Sequence, residues 1–281
     1  MTVPGRPTPP AVRLLTALLI ATSIATAAVE ALNWWVTPGG GWALFVRTGW
    51  ALLRSLGFLI LIYHVRKGRR SAAPLGLILA VTTIFGVARL VVPRTGYPAL
   101  PGIAGFALVT VLCLTVVVLL YRSATLQEHL VRPPNRITVT KQGIEWLPAK
   151  STRPPIPGWL LTARVASFTY APLMIVASVI ALGNVFSGEV GALPLVIVWF
   201  IAALTMSNLM VLIAIFLLRG HRWARWALGL LTVAVLALHL ALCWLLLDLD
   251  GLVRDGGPLA AAALLCLWGL WRAPAKPLQP A

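Results

Sequence analysis

Residues 122–158 read RSATLQEHLVRPPNRITVTKQGIEWLPAKSTRPPIPG, and no other stretch of the chain is so long and so polar. The segment carries Arg122, Arg132, Arg136, Lys141, Lys150 and Arg153, and it is broken by Pro133–Pro134 and Pro154–Pro155. On either side lie runs that are apolar all the way round. A soluble domain needs a polar face on most of its elements, so a water-soluble core is excluded. The composition agrees, with 59% hydrophobic and 11% charged residues in 281. Crossing a hydrocarbon core takes roughly 20 apolar residues as a helix, and several runs reach that length. The expected class is an all-α membrane protein of eight transmembrane helices, divided by the polar segment into two halves.

The division predicts a disordered tail over 1–11, four spans within 12–121, the basic loop 122–158, four more spans within 159–272, and a tail over 273–281. The start of the first span, with Arg6 and Arg13 ahead of Leu14–Ile20 and then Ala25-Thr26-Ala27, has the look of a secretory signal. Apolar residues continue to Trp34–Trp35, which favours an uncleaved span. Ala17, Ala21 and Ala25 recur at i+4 and predict a small-residue packing face. Pro172 predicts a kink in span five. Within the basic loop, 137–147 alternates around Lys141-Gln142-Gly143 and predicts a β-hairpin.

Charge sets the orientation. Of 23 Lys and Arg, 17 fall on the side of the N-terminus, only Arg94 and Arg254 fall in loops on the other side, and Arg47, Arg54, Arg89 and Arg164 fall within spans. The positive-inside rule then places both termini in the cytoplasm. The formal charge of +16 records this bias, and no basic folded face is present to make nucleic acid the expected partner.

The halves resemble each other. Leu75-Gly76-Leu77 recurs as Leu228-Gly229-Leu230, and Leu120-Tyr121-Arg122 as Leu270-Trp271-Arg272. The basic turns after His64 and Leu218 also correspond. Two parallel four-helix repeats are expected, related by an axis along the membrane normal. The run Gly220-His221-Arg222-Trp223-Ala224-Arg225 resembles a Gly-x-Arg-Trp-Ala-Arg helix start of actinobacterial multi-span integral membrane proteins, often four-helix units. The resemblance covers about one hairpin and implies a bacterial plasma-membrane setting but no activity.

Ionisable residues within spans need an account, since a charge near the bilayer centre costs about 2.5–3.5 kcal/mol. Arg89 and Arg164 lie near span ends and are expected to snorkel outward. Arg47 lies about 9 Å inside the outer rim, within snorkelling reach, whereas Arg54 lies about 18–20 Å inside it and is too deep to reach headgroups. Glu30, about 9 Å inside span one, is the only carboxylate in the apolar runs. Two readings follow. Glu30 pairs with Arg47 or Arg54 to fix the packing, or the surplus arginine opens an outward-facing pocket for an anionic lipid or solute. Trp199 and Met206 occupy the matching positions of the second half, so the first half is expected to hold the site. Asn33 and His239 are further polar candidates.

Catalysis finds no constellation. His239 has no second deep histidine for a haem, since His64, His129 and His221 lie at the inner rim. Cys113, Cys243 and Cys266 lack metal-ligand spacing, and Asp248, Asp250 and Asp255 read as a solvated outer loop. No metal or cofactor is expected. The partners expected are the lipid bilayer and, at 122–158, a cytoplasmic or membrane protein. The leading expectation is a non-enzymatic accessory or assembly subunit. The alternative is a transporter or binding protein for an anionic lipid or solute, with Arg54, Arg47 and Glu30 as its site.

Overall fold

Where water is absent, every backbone N–H and C=O must find a partner inside the chain, and an isolated apolar run can do so only as a helix. The computed structural model describes residues 9–36, 41–91, 100–131, 135–140, 143–148 and 158–272. Most of the two tails, Arg94 with its loop and both Pro-Pro breaks lie outside the described residues.

The elements are α1 (Pro10–Val36), α2 (Gly41–Arg66), α3 (Ala72–Ala88), α4 (Leu100–Arg122), α5 (Ala124–Val131), β1 (Asn135–Thr140), β2 (Gly143–Pro148), α6 (Gly158–Ser167), α7 (Tyr170–Phe186), α8 (Leu193–Leu218), α9 (Arg222–Gly251) and α10 (Gly257–Arg272). β1 and β2 form an antiparallel ribbon in which Ile137 faces Trp146 and Thr140 faces Gly143. Residues 141 and 142 of the expected turn lie outside the described residues.

Six stretches are long and apolar enough to cross a membrane: Pro10–Trp35, Gly41–Arg66, Leu100–Arg122, Gly158–Phe186, Val190–Leu218 and Arg222–Arg272. The chain is therefore a multi-pass helical membrane protein. Of the eight expected spans, the third is a helix of 17 residues and falls short of that length. The last two run together as one stretch of 51 residues.

That stretch is a hairpin. The Arg225 guanidinium near the start of α9 donates to the Leu270 carbonyl near the end of α10 at 3.0 Å. Thr232 Oγ1 lies 3.5 Å from Cys266 Sγ, and His239 Nε2 lies 3.3 Å from the Asp255 carbonyl oxygen. As α9 advances, its partners step back along α10 and into the turn before it, so the two helices run antiparallel. The reversal uses Asp248, at φ 57° and ψ −166°, and a wide π turn over Leu252–Gly256.

Each half closes a ring of helices. In the first, α1 packs on α2 and α4, and α3 packs on the same two. In the second, the order α7, α8, α9, α10 closes back through α6 and α7. Leu15, Phe58, Val109 and Val116 lie in the first core, and Tyr170, Met174, Trp199 and Leu228 in the second. The halves dock through α2 and α3 against α6, α7 and α10. This docking is not reciprocal among the described residues, for α8 makes no comparable contact with α1, nor α9 with α4. Leu53, Val111, Leu230 and Leu264 project from the outside of the bundle, where lipid chains solvate them.

The face α1 turns inward is not the alanine stripe. Ala17 and Ala21 are exposed, while Leu15, Thr16, Leu19, Thr22, Ser23, Thr26 and Glu30 are buried. The hydroxyls make this possible. Thr16, Thr22 and Thr26 each donate to the carbonyl one turn back at 2.8 Å, and Ser23 donates to the Ser55 carbonyl of α2 at 2.8 Å. Small hydroxylated residues let backbones approach closely, as alanine would, and add a bond between helices. The bend expected at Pro172 falls between α6 and α7, at Phe168–Thr169. A proline clashes with the carbonyl four residues back, which here belongs to Phe168.

The turns after α2 and α8 are built alike. Arg69 N–H donates to His64 O at 3.0 Å and His221 N–H to Phe216 O at 3.2 Å, each across a glycine with positive φ, Gly68 at 64° and Gly220 at 80°. These are helix-ending Schellman turns, and a side chain there is strained. Gly220→Ala is expected to lower stability by about 1 kcal/mol, read as a fall in the thermal midpoint in detergent. Gly68→Ala should cost more, because the added carbon would also press on the His129 carbonyl.

Candidate functional site

On α2 the inward stripe runs Arg47, Ala51, Arg54, Ser55, Phe58, Leu61, Val65. Two arginines thus occupy core positions, two turns apart, in a row otherwise apolar or small. Facing α3 and α7, their guanidinium groups cannot be solvated by headgroups and must be satisfied within the protein.

Arg54 is 6% exposed. Its Nη1 donates to the Thr82 carbonyl of α3 at 2.9 Å, using the lone pair left over from the helix bond. The guanidinium lies over Gly86, where a methyl group would overlap it. Its Nε has no acceptor, and among the described residues no carboxylate comes within ion-pair distance.

The other arginines are paired. Arg89, which caps the end of α3, binds Glu30, whose side chain is wholly buried. Arg47 grips Asp255 with both arms of its fork, Nε to Oδ1 at 3.0 Å and Nη2 to Oδ2. Arg254 pairs with Asp250 one turn back. Between these groups lies a narrow cleft, part of it open to the outside. Arg47, Trp50 and Arg54 line it from α2, Gly86 and Arg89 from the α3 end, Leu173 and Val176 from α7, and Arg254, Asp255 and Pro258 from the α9–α10 turn.

Several expectations are corrected here. Glu30 pairs with neither Arg47 nor Arg54 but with Arg89, which does not snorkel, because its side chain turns into the first bundle and reaches across it to α1. Asp255 is not solvated: the α9–α10 turn folds over the cavity and buries it beside Arg47. The second half is not mere scaffold, since it supplies half of the residues that line the cavity. Arg47 and Arg54 do meet in the cavity, whereas Glu30 stands behind Arg89 rather than on the wall. Asn33 is half-buried on α1, one turn beyond Glu30, and does not line the cavity.

His239 is fully buried, with its ring edge-on to Trp199 at 5.4 Å between centroids. Its Nε2 meets the Asp255 carbonyl, so it holds the backbone of the residue whose carboxylate holds Arg47. It is a positioning residue, one step removed from the cavity. Trp50, Gly86, Arg89, Arg254 and Asp255 are among the site residues that sequence reading missed. The signal for Asp255 was its place just ahead of Pro258 and the apolar start of α10, where a carboxylate is seldom left in lipid.

The arrangement offers fixed N–H donors and permanent positive charge. A guanidinium does not exchange protons in a protein, so these residues suit the holding of an anion better than acid–base work. Among the described residues no group of three or more His, Cys, Asp or Glu is placed to hold a metal. Gly86→Ala is expected to displace the Arg54 guanidinium while the fold persists, so that any Arg54-dependent binding of an anion weakens at least tenfold, measured by titration in detergent beside a thermal melt.

Compared with protein families, curated proteins and solved structures, the chain matches none.

Proposed function

We propose that the chain binds or transports an anionic lipid or solute through the cavity between its halves. The observation that carries this reading is Arg54, a deeply buried cation with one carbonyl acceptor and, among the described residues, no carboxylate within ion-pair distance. Such a group weakens a fold unless a ligand supplies its counter-charge. Apolar residues and Gly86 complete the wall, and a mostly apolar cleft with a few fixed polar groups is the usual form of a small-molecule site.

The proposed topology has eight crossings, with both termini cytoplasmic, in a bacterial plasma membrane. Positive-inside bias supports the orientation. The antiparallel α9–α10 hairpin supports two passes where one stretch is seen. The shared ring order and the matching Gly68 and Gly220 turns support duplication of a four-helix unit. In this frame the cavity opens toward the outer half of the bilayer.

The test is native mass spectrometry of wild type and Arg54→Ala extracted in mild detergent. A discrete anionic adduct on the wild type alone supports the reading. A co-purifying polypeptide with no such adduct supports the accessory role instead, with the basic segment 122–158 as its contact.

A further inference from the structure

The charges around the cavity can be counted. Arg47, Arg89 and Arg254 are each matched by a carboxylate, Asp255, Glu30 and Asp250 respectively. Arg54 is the guanidinium left without one among the described residues. The site therefore holds one net positive charge in a region where lipid and packed apolar side chains keep the dielectric low. A single negative charge neutralises it. A doubly charged group would leave a buried negative charge, which is as unfavourable as the unpaired cation it replaced.

The donors add a second constraint. The Nε of Arg54, the Nε of Arg89 and the Nε1 of Trp50 belong to residues on the cavity wall, are buried, and have no acceptor among the described residues. Arg54 and Trp50 stand one turn apart on α2, and Arg89 ends α3. Donors from two helices suit a tetrahedral group with several oxygens better than a flat carboxylate, which offers two.

We infer that the ligand is a singly charged phosphodiester, and that phosphate monoesters are rejected on charge. This rests on the anion-binding reading above and narrows it. The same chemistry belongs to the headgroup of a diester phospholipid and to a free glycerophosphodiester.

The experiment uses the full chain purified in neutral detergent at pH 8, where a phosphate monoester is close to doubly charged. Four probes are titrated and followed by native mass spectrometry: phosphatidylglycerol, phosphatidic acid, and their deacylated counterparts glycerophosphoglycerol and glycerol 3-phosphate. The result expected is at least tenfold tighter binding of the diester within each pair, lost in Arg54→Ala. Binding of both diesters would mark a soluble group as sufficient, and binding of phosphatidylglycerol alone would mark a lipid; either supports the inference. Asp250→Asn removes the carboxylate behind Arg254, a wall residue, and so raises the net charge around the cavity by one, which should shift the preference toward the monoesters. Equal or tighter binding of monoesters to the wild type, still dependent on Arg54, would overturn the inference and leave the anion site standing. Failure of all four probes to show Arg54-dependent binding would overturn both.

Discussion

Asp255→Ala is expected to destabilise the protein by about 3–5 kcal/mol, the usual cost of removing one member of a buried ion pair. The carboxylate accepts from both arms of Arg47, and neither side chain is more than a tenth exposed. Without it, Arg47 keeps its charge in a packed site and can neither titrate away nor reach headgroups. The change also cuts a tie between the halves, since Arg47 belongs to α2 and Asp255 to the α9–α10 turn. The measurement is reversible unfolding in mixed detergent, with Arg47→Met, Asp255→Leu and the double variant completing a cycle. The double variant should recover most of the loss, because two apolar side chains of similar size carry no unpaired charge. Losses that simply add would sink the ion-pair account and leave only packing.

Arg54→Met is expected to act in the opposite sense. Among the described residues no carboxylate forms an ion pair with it, so its removal should leave stability unchanged or raise it by about 1–3 kcal/mol, the insertion cost of a deep charge less one hydrogen bond to Thr82. Anion binding should fall at least a hundredfold. A residue that weakens the fold it sits in while holding a ligand is the pattern of a functional site. The thermal midpoint and the adduct titration are read on the same preparation. A stability loss comparable with Asp255→Ala would show instead that Arg54 is a structural residue with a partner of its own.

Some of this was legible in the chain as written. Length and all-round apolarity determine helices that cross a bilayer, because no other element can satisfy its backbone there. The depth of Arg54 follows from counting residues along a helix at 1.5 Å each, and its need for a partner in protein, water or an anion follows from that depth. The seven-residue spacing of Arg47 and Arg54 places them on one face, and they do share the inward stripe of α2.

Partnership was not legible. Glu30 was expected to meet Arg47 or Arg54, and its pairing with Arg89 depends on how the ring of helices brings the end of α3 opposite α1. Asp255 looked solvated because its sequence neighbours are polar, and only the fold of the α9–α10 turn over α2 buries it. Gly86 carries no chemistry and is silent in sequence, yet its missing side chain is the space Arg54 occupies. Sequence determines local geometry and depth, which depend on residues a few positions apart. Which charges meet depends on how helices far apart in the chain dock, and that is set by the packing of both halves together.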